Sequence, residues 1–198
     1  MSIQWLGDGA VCFARPRGSS VAGLLQYLKQ QPGVLDVAIS PEHVGLYFDP
    51  HRRPAGLEEL AAACASLPLN PSPGREHQIH VRYDGPDLEV VARACGLSVA
   101  ELISAHSQGE YEVANLGFMP GFAYLQGLDS RLVLPRRAEP RPRIPAASVA
   151  IGGPYTAIYP CASPGGWHLL GTALDCVLLG VEGALLQPGD RLRFVPWA

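Results

Sequence analysis

The chain has 198 residues, 47% hydrophobic and 17% charged, with a formal charge of -3. That composition belongs to a folded globular protein with room for one large domain or two small ones, and the charge gives no electrostatic case for nucleic acid. The N-terminal MSIQWLGDGA lacks a basic region followed by an apolar run, and no apolar stretch nears membrane-spanning length, so neither a signal peptide nor a membrane association is expected. Five cysteines, Cys12, Cys64, Cys95, Cys161 and Cys176, are odd in number and form no CxxC pair. They point to a reducing cytoplasm without a disulfide framework or a zinc site.

In chain order, Ile3 to Phe13 reads as a strand pair turned at Gly7-Asp8-Gly9. Ser19 or Ser20 caps a helix with Val21, Leu24, Leu25 and Leu28 at helical spacing, stopped at Pro32-Gly33. Val34 to Ile39 and His43 to Phe48 read as strands joined at Ser40-Pro41, and Leu57 to Leu67 as an alanine-rich helix. The order β-β-α-β-β-α predicts a small α+β domain, residues 1–70, an antiparallel sheet with helices on one face. The stretch Leu69 to Arg75, rich in proline and glycine, is the expected linker.

The second domain, 76–198, opens with a strand from His77 to Tyr83. Residues three apart on a strand point to opposite faces, so His77 and His80 are not expected to share a metal ion. Asp84 or Asp87 caps a helix through Ala94, and Ser98 with Glu101 forms a capping box for a helix to about His106. From Tyr111 onward, short apolar runs alternate with glycine and proline turns, the texture of a β-barrel or sandwich. The densest part is Arg141 to Gly171, where Pro142, Pro145, Pro154, Pro160 and Pro164 exclude a helix. Ser148 to Ile151 and Tyr155 to Tyr159 are expected strands about a turn at Gly152-Gly153-Pro154. Ser163-Pro164-Gly165-Gly166 is an expected second turn, with Trp167 and His168 at the mouth of its loop.

There is no GxxxxGK[ST] phosphate loop, no GxSxG and no cysteine–histidine arrangement suited to a nucleophile. Ser148 and Ser163 read as turn or strand hydroxyls, and a self-contained hydrolase is not expected. Three groups remain. His106 ends a helix, where the dipole favours imidazolium, and is the candidate catalytic residue against a plain capping role. Phe118, Phe122 and Tyr124 surround Pro120-Gly121 and either wall an apolar pocket or close a barrel end. Arg136, Arg137 and Arg141 offer guanidinium forks suited to carboxylate or phosphate, held between prolines, where a solvated basic face is the plainer reading. With Gly165, Gly166 and Trp167 these make the candidate substrate-binding set.

The segments PRRAEPRPRIPAASVAIGG, TAIYP and SPGGW closely resemble the family known as allophanate hydrolase subunit 1, which includes 5-oxoprolinase subunits and a sporulation-kinase inhibitor. YDGPDLEVVARACGLSVAELISAHS and YEVANLGFMPGFAYLQGL extend the likeness from about Gln78 to the C-terminus. The resemblance implies a cyclophilin-like barrel for the second domain. It also implies ATP-dependent opening of 5-oxoproline to glutamate with an allophanate hydrolase subunit 2-like partner and a third 5-oxoprolinase subunit, ATP being used by the complex. Two further readings stay open: a non-catalytic regulator that binds a histidine kinase, and a carboxyltransferase half-site of the urea carboxylase kind. The chain departs from the family pattern at Ala147, where a glycine is usual, at Tyr155-Thr156-Ala157 in place of QTG, and at Thr172, which follows Gly171 directly. The usual Phe-Asp-Pro downstream is also absent, so a polar amide and a cationic side chain are missing from the pattern.

Overall fold

In His43–Phe48 the buried Val44, Leu46 and Phe48 alternate with the exposed His43 and Tyr47, and in Ala10–Ala14 Val11 and Phe13 are buried, which is how a sheet covered on one side is built. The computed structural model describes residues 2–67, 74–174 and 176–197, and the chain divides into two compact units, 1–73 and 74–198. In the first, β1 (Ile3–Trp5), β2 (Ala10–Ala14), β3 (Val34–Ile39) and β4 (His43–Phe48) form an antiparallel sheet in the order β1-β2-β4-β3. Helix α1 (Val21–Lys29) starts where Ser20 accepts the Gly23 N–H at 3.2 Å. Leu24 and Leu28 of α1, with Leu57 and Leu60 of α2 (Leu57–Ala63), pack into one core with Val11, Phe13, Val44, Leu46 and Phe48. Each such side chain contributes roughly 1.5–3 kcal/mol on burial. Helix α2 is shorter than expected, giving way to a 3-10 turn at Cys64–Ser66.

The second unit is dominated by strands. After β5 (Glu76–Arg82) come α3 (Leu88–Ala94) and α4 (Val99–Ser107), the latter opened by the expected reciprocal Ser98–Glu101 capping box. The remaining strands are β6 (Tyr111–Leu116), β7 (Ala123–Gln126), β8 (Arg141–Ile144), β9 (Ser148–Gly152), β10 (Tyr155–Ile158), β11 (Ser163–Gly165), β12 (His168–Ala173), β13 (Leu179–Gly180), β14 (Gly183–Ala184) and β15 (Arg191–Pro196). Six of these and β5 close a seven-stranded barrel in the order β10-β7-β6-β15-β5-β12-β9. Closure depends on β15, which lies parallel to β5 and antiparallel to β6. Ile79, Val81, Tyr111, Val113, Leu125, Val149, Leu192 and Phe194 fill the interior. Among the described residues no helix is long and apolar enough to cross a membrane.

One expectation changes here, and another falls largely outside the described residues. Ser163-Pro164-Gly165 is not a turn but the strand β11, paired with β8 in a separate two-stranded ladder. A ladder this short, with an irregular register, accommodates Pro142 and Pro164 because few of its N–H groups need partners. The stretch Leu69 to Arg75 lies outside the described residues except for Gly74 and Arg75. Both are pinned to the second unit: a Cβ on Gly74 would overlap the Gly189 carbonyl, and the Arg75 N–H donates to Asp190 at 2.8 Å.

Candidate functional site

Asp87 precedes α3 but makes no side-chain cap bond to it. It is 3% exposed and turns inward instead. Its Oδ2 accepts from Arg141 Nη1 at 2.8 Å and from the Leu169 N–H at 2.8 Å, while Oδ1 accepts from Arg141 Nη2 at 2.7 Å and Arg137 Nη1 at 3.1 Å. Burial alone would raise its pKa, but the Arg141 hydrogen bonds, the Leu169 N–H and the two guanidinium charges outweigh this and hold the carboxyl below its ordinary value. The fork of Arg141, expected to await an anionic substrate, is thus committed to an internal carboxylate, and Arg137 gives that carboxylate one N–H while its buried Nε has no hydrogen-bond partner among the described residues. The expectation missed this because the acid lies some fifty residues away in sequence.

Arg136 differs from its neighbours. It is exposed, it forms no ion pair among the described residues, and its Cζ lies 5.9 Å over the Trp167 ring, within cation–π range. Beneath it is a continuous aromatic array. Phe122 meets Trp167 at 5.6 Å, Tyr124 at 5.2 Å and Tyr159 at 5.2 Å, and Tyr124 meets Tyr155 at 5.6 Å and Trp167 at 5.8 Å, all edge to face. Phe122 and Trp167 are 1% and 4% exposed, so they are core rather than the walls of an open loop. Trp167 lies so close on Gly152 that a Cβ there would come within 2.7 Å of the indole. Tyr124 and Tyr155 are half-buried. Phe118, at φ 68°, stands exposed beside Phe122. Burial pushes the Tyr159 phenol up to about 12, with the Arg136 charge opposing.

Of the SPGGW glycines, Gly165 is not bare backbone open to a ligand, and Gly166 has its carbonyl engaged. Gly165 is packed beneath Tyr159 and Ile144, leaving no room for a Cβ, and the Gly166 carbonyl accepts the Arg137 N–H at 2.7 Å.

His106 is also corrected. It is fully buried, with Nδ1 2.8 Å from the Tyr83 hydroxyl and Nε2 2.9 Å from Thr156 Oγ1. Thr156 Oγ1 donates to the Ala150 carbonyl at 3.1 Å, so it accepts from Nε2–H, and Tyr83 donates to Nδ1. Burial lowers the imidazole pKa to about 3, overriding the helix-end effect that favours the cation. A ring neutral at physiological pH, stacked on Phe194 at 4.7 Å, ties α4 to β10 inside the barrel. Successive strand residues face opposite sides, so Thr156 serves this interior bond while Tyr155 serves the aromatic face.

Among the sites predicted from sequence, the structure therefore assembles Arg136, Trp167, Phe118, Phe122 and Tyr124, and adds Tyr155, Tyr159 and Asp87. Asp87 was legible only as a cap, and Tyr155 only as a departure from a motif. Ala147 adopts φ 63°, a left-handed conformation that explains why a glycine is usual there. A cavity of about 510 Å³ elsewhere on the barrel, lined by Glu76, His77, Glu110 and Arg191 among others, contains none of these residues.

The chain belongs to the family described as carboxyltransferase domain, subdomain C and D, whose model matches residues 1–176. Its relatives narrow this further. The 5-oxoprolinase B-subunit of Bacillus subtilis (strain 168) is 34% identical across 98% of this chain and 91% of its own length. The 5-oxoprolinase B-subunit of Escherichia coli O157:H7 is 55% identical over 57% of this chain, a match spanning only 52% of that relative. The crystal structure of TTHA0988 superposes on the whole chain with a TM-score of 0.82 at 36% identity, and the chain spans 40% of that longer protein.

Proposed function

We propose that this chain is a cytoplasmic subunit of an ATP-dependent 5-oxoprolinase. In that role it helps open 5-oxoproline to glutamate together with an allophanate hydrolase subunit 2-like protein, the C-subunit of such an enzyme, and a third subunit. The observation that carries the reading is the nearly end-to-end match with the Bacillus subtilis relative of that name. In this reading the two units are separate domains, an α+β domain and a cyclophilin-like barrel, and the arginine–aromatic face of the barrel receives the lactam. Arg136 meets its carboxylate, Trp167 and Phe122 form the apolar floor, and the half-buried Tyr124 and Tyr155 border it. A lactam is a stable amide, and phosphorylating its oxygen makes a better electrophile. The sequence has no phosphate loop, and in the SPGGW region the Arg141 fork and one Arg137 N–H are held by Asp87 and Gly165 is packed against Tyr159 and Ile144. ATP is accordingly assigned to the partners, and this chain to binding and orienting the lactam.

A carboxyl-transfer half-site is the second reading, favoured by the description of the family itself. Reconstitution separates the two. The purified chain should show no turnover of ATP or 5-oxoproline, and the complex should convert both. Turnover by the chain alone, or carboxyl transfer without lactam opening by the complex, contradicts the proposal.

A further inference from the structure

Arg136 sits in a segment without regular structure between a 3-10 turn at Ser130–Leu132 and β8, yet it lies over Trp167. Two strips of backbone set that meeting. One is 134–141 and the other 165–169, joined where the Arg137 N–H donates to the Gly166 carbonyl, where His168 Nε2 lies 2.9 Å from the Pro135 carbonyl, and where Arg141 pairs with Gly165. Asp87 bonds to both strips at once, to the Arg137 and Arg141 side chains in one and to the Leu169 N–H in the other. It does so from a third element, the entry to α3.

We propose that Asp87 is the positioning residue of the arginine–aromatic face. Its carboxylate locks the two strips in register, so that Arg136, next to Arg137, meets Trp167, two residues before Leu169. It also takes the bidentate fork of Arg141 and one N–H of Arg137, leaving the exposed Arg136 as the one of the three arginines with no ion pair among the described residues and hence the cation that selects a monocarboxylate ligand. Asp87 itself touches neither Arg136 nor the ligand. The proposal rests on the reading of this face as the 5-oxoproline site, and its first readout is independent of that reading.

The test places Asp87→Asn and, separately, Arg137→Met in a chain whose other two tryptophans are replaced, Trp5→Phe and Trp197→Phe, so that Trp167 reports alone. Acrylamide quenching of Trp167 should rise about threefold or more in Asp87→Asn and less in Arg137→Met, with far-ultraviolet circular dichroism unchanged. In the reconstituted complex, KM for 5-oxoproline should rise about tenfold in Asp87→Asn while kcat stays within about threefold, the signature of lost uniform binding. Should Asp87→Asn not fold, Arg137→Met carries both readouts in the same direction. Unchanged quenching, or a loss confined to the yield of assembled complex with KM unchanged, overturns the proposal. A parent complex without turnover defeats the functional reading instead, and quenching then decides the positioning role by itself.

Discussion

Acidification tests the buried imidazole quantitatively. In the unfolded chain His106 titrates near 6.5, whereas in the fold burial lowers its pKa to about 3. Between those values the unfolded state binds a proton that the folded state excludes. The His106 contribution is therefore fully present above pH 6.5 and is lost as the pH falls toward 3, at about 1.4 kcal/mol per pH unit. From pH 7 to about pH 4.5 the loss amounts to roughly 3 kcal/mol. Urea unfolding of the parent and of His106→Gln at both pH values isolates this part. The variant is less stable at neutral pH, because it loses the stack on Phe194 and perturbs the Tyr83 and Thr156 bonds, but it has no imidazole to titrate. The parent should lose roughly 3 kcal/mol more than the variant over the interval. Equal losses would show that His106 is not held neutral, and would restore the helix-end imidazolium expected from the sequence.

Arg141→Ala leaves Asp87 buried with Arg137 and the Leu169 N–H, and should cost about 2–4 kcal/mol in urea unfolding, as breaking a buried pair does; a cost near zero would mark Arg141 as solvent-facing. Because the folded pKa of Asp87 is depressed, its contribution is present above the ordinary carboxylate range and is lost as the pH falls through the folded value. Arg141→Ala should therefore move acid unfolding to higher pH. Arg136→Ala, at an exposed position, should change stability by less than about 1 kcal/mol yet raise KM for 5-oxoproline in the complex about tenfold, and an unchanged KM places the carboxylate elsewhere. Trp167→Ala should destabilise the fold by about 3–5 kcal/mol, whereas a side chain at a loop mouth would be lost with little effect. Limited proteolysis should leave a resistant fragment beginning near His77 if the second unit folds alone, and rapid digestion of that fragment would count against two independent domains.

Local signals in the sequence carried most of the elements. Ser20 and the Ser98–Glu101 box mark helix starts through short-range bonds, and the short apolar runs Val34–Ile39 and His43–Phe48, separated at Ser40-Pro41, mark strands. What could not be read locally was pairing across long separations. The parallel seat of β15 beside β5 joins Arg191 to Glu76, and no nearby turn announces it. The same holds for Asp87: its position before an apolar periodic run reads as a cap, and only the folded chain brings two arginines and the Leu169 N–H to it. The family motifs led to the face, because Arg136, Trp167 and the Phe118–Tyr124 segment do converge. They did not distinguish the arginine left open from the two already paired, nor a tryptophan in the floor from one at the rim. His106 was misread for a related reason: the helix-end rule assumes an imidazole near solvent, and here the barrel closes over it.

Whether the chain works as one part of a 5-oxoprolinase is tested most directly in its native cell. There it is tagged and isolated with whatever it binds, and the eluate is assayed for glutamate formed from 5-oxoproline with and without ATP. Co-elution with an allophanate hydrolase subunit 2-like partner and a third subunit is predicted, with glutamate formation that requires ATP and disappears when the chain is stripped of its partners. Elution alone, or with a histidine kinase and no lactam opening, would contradict it.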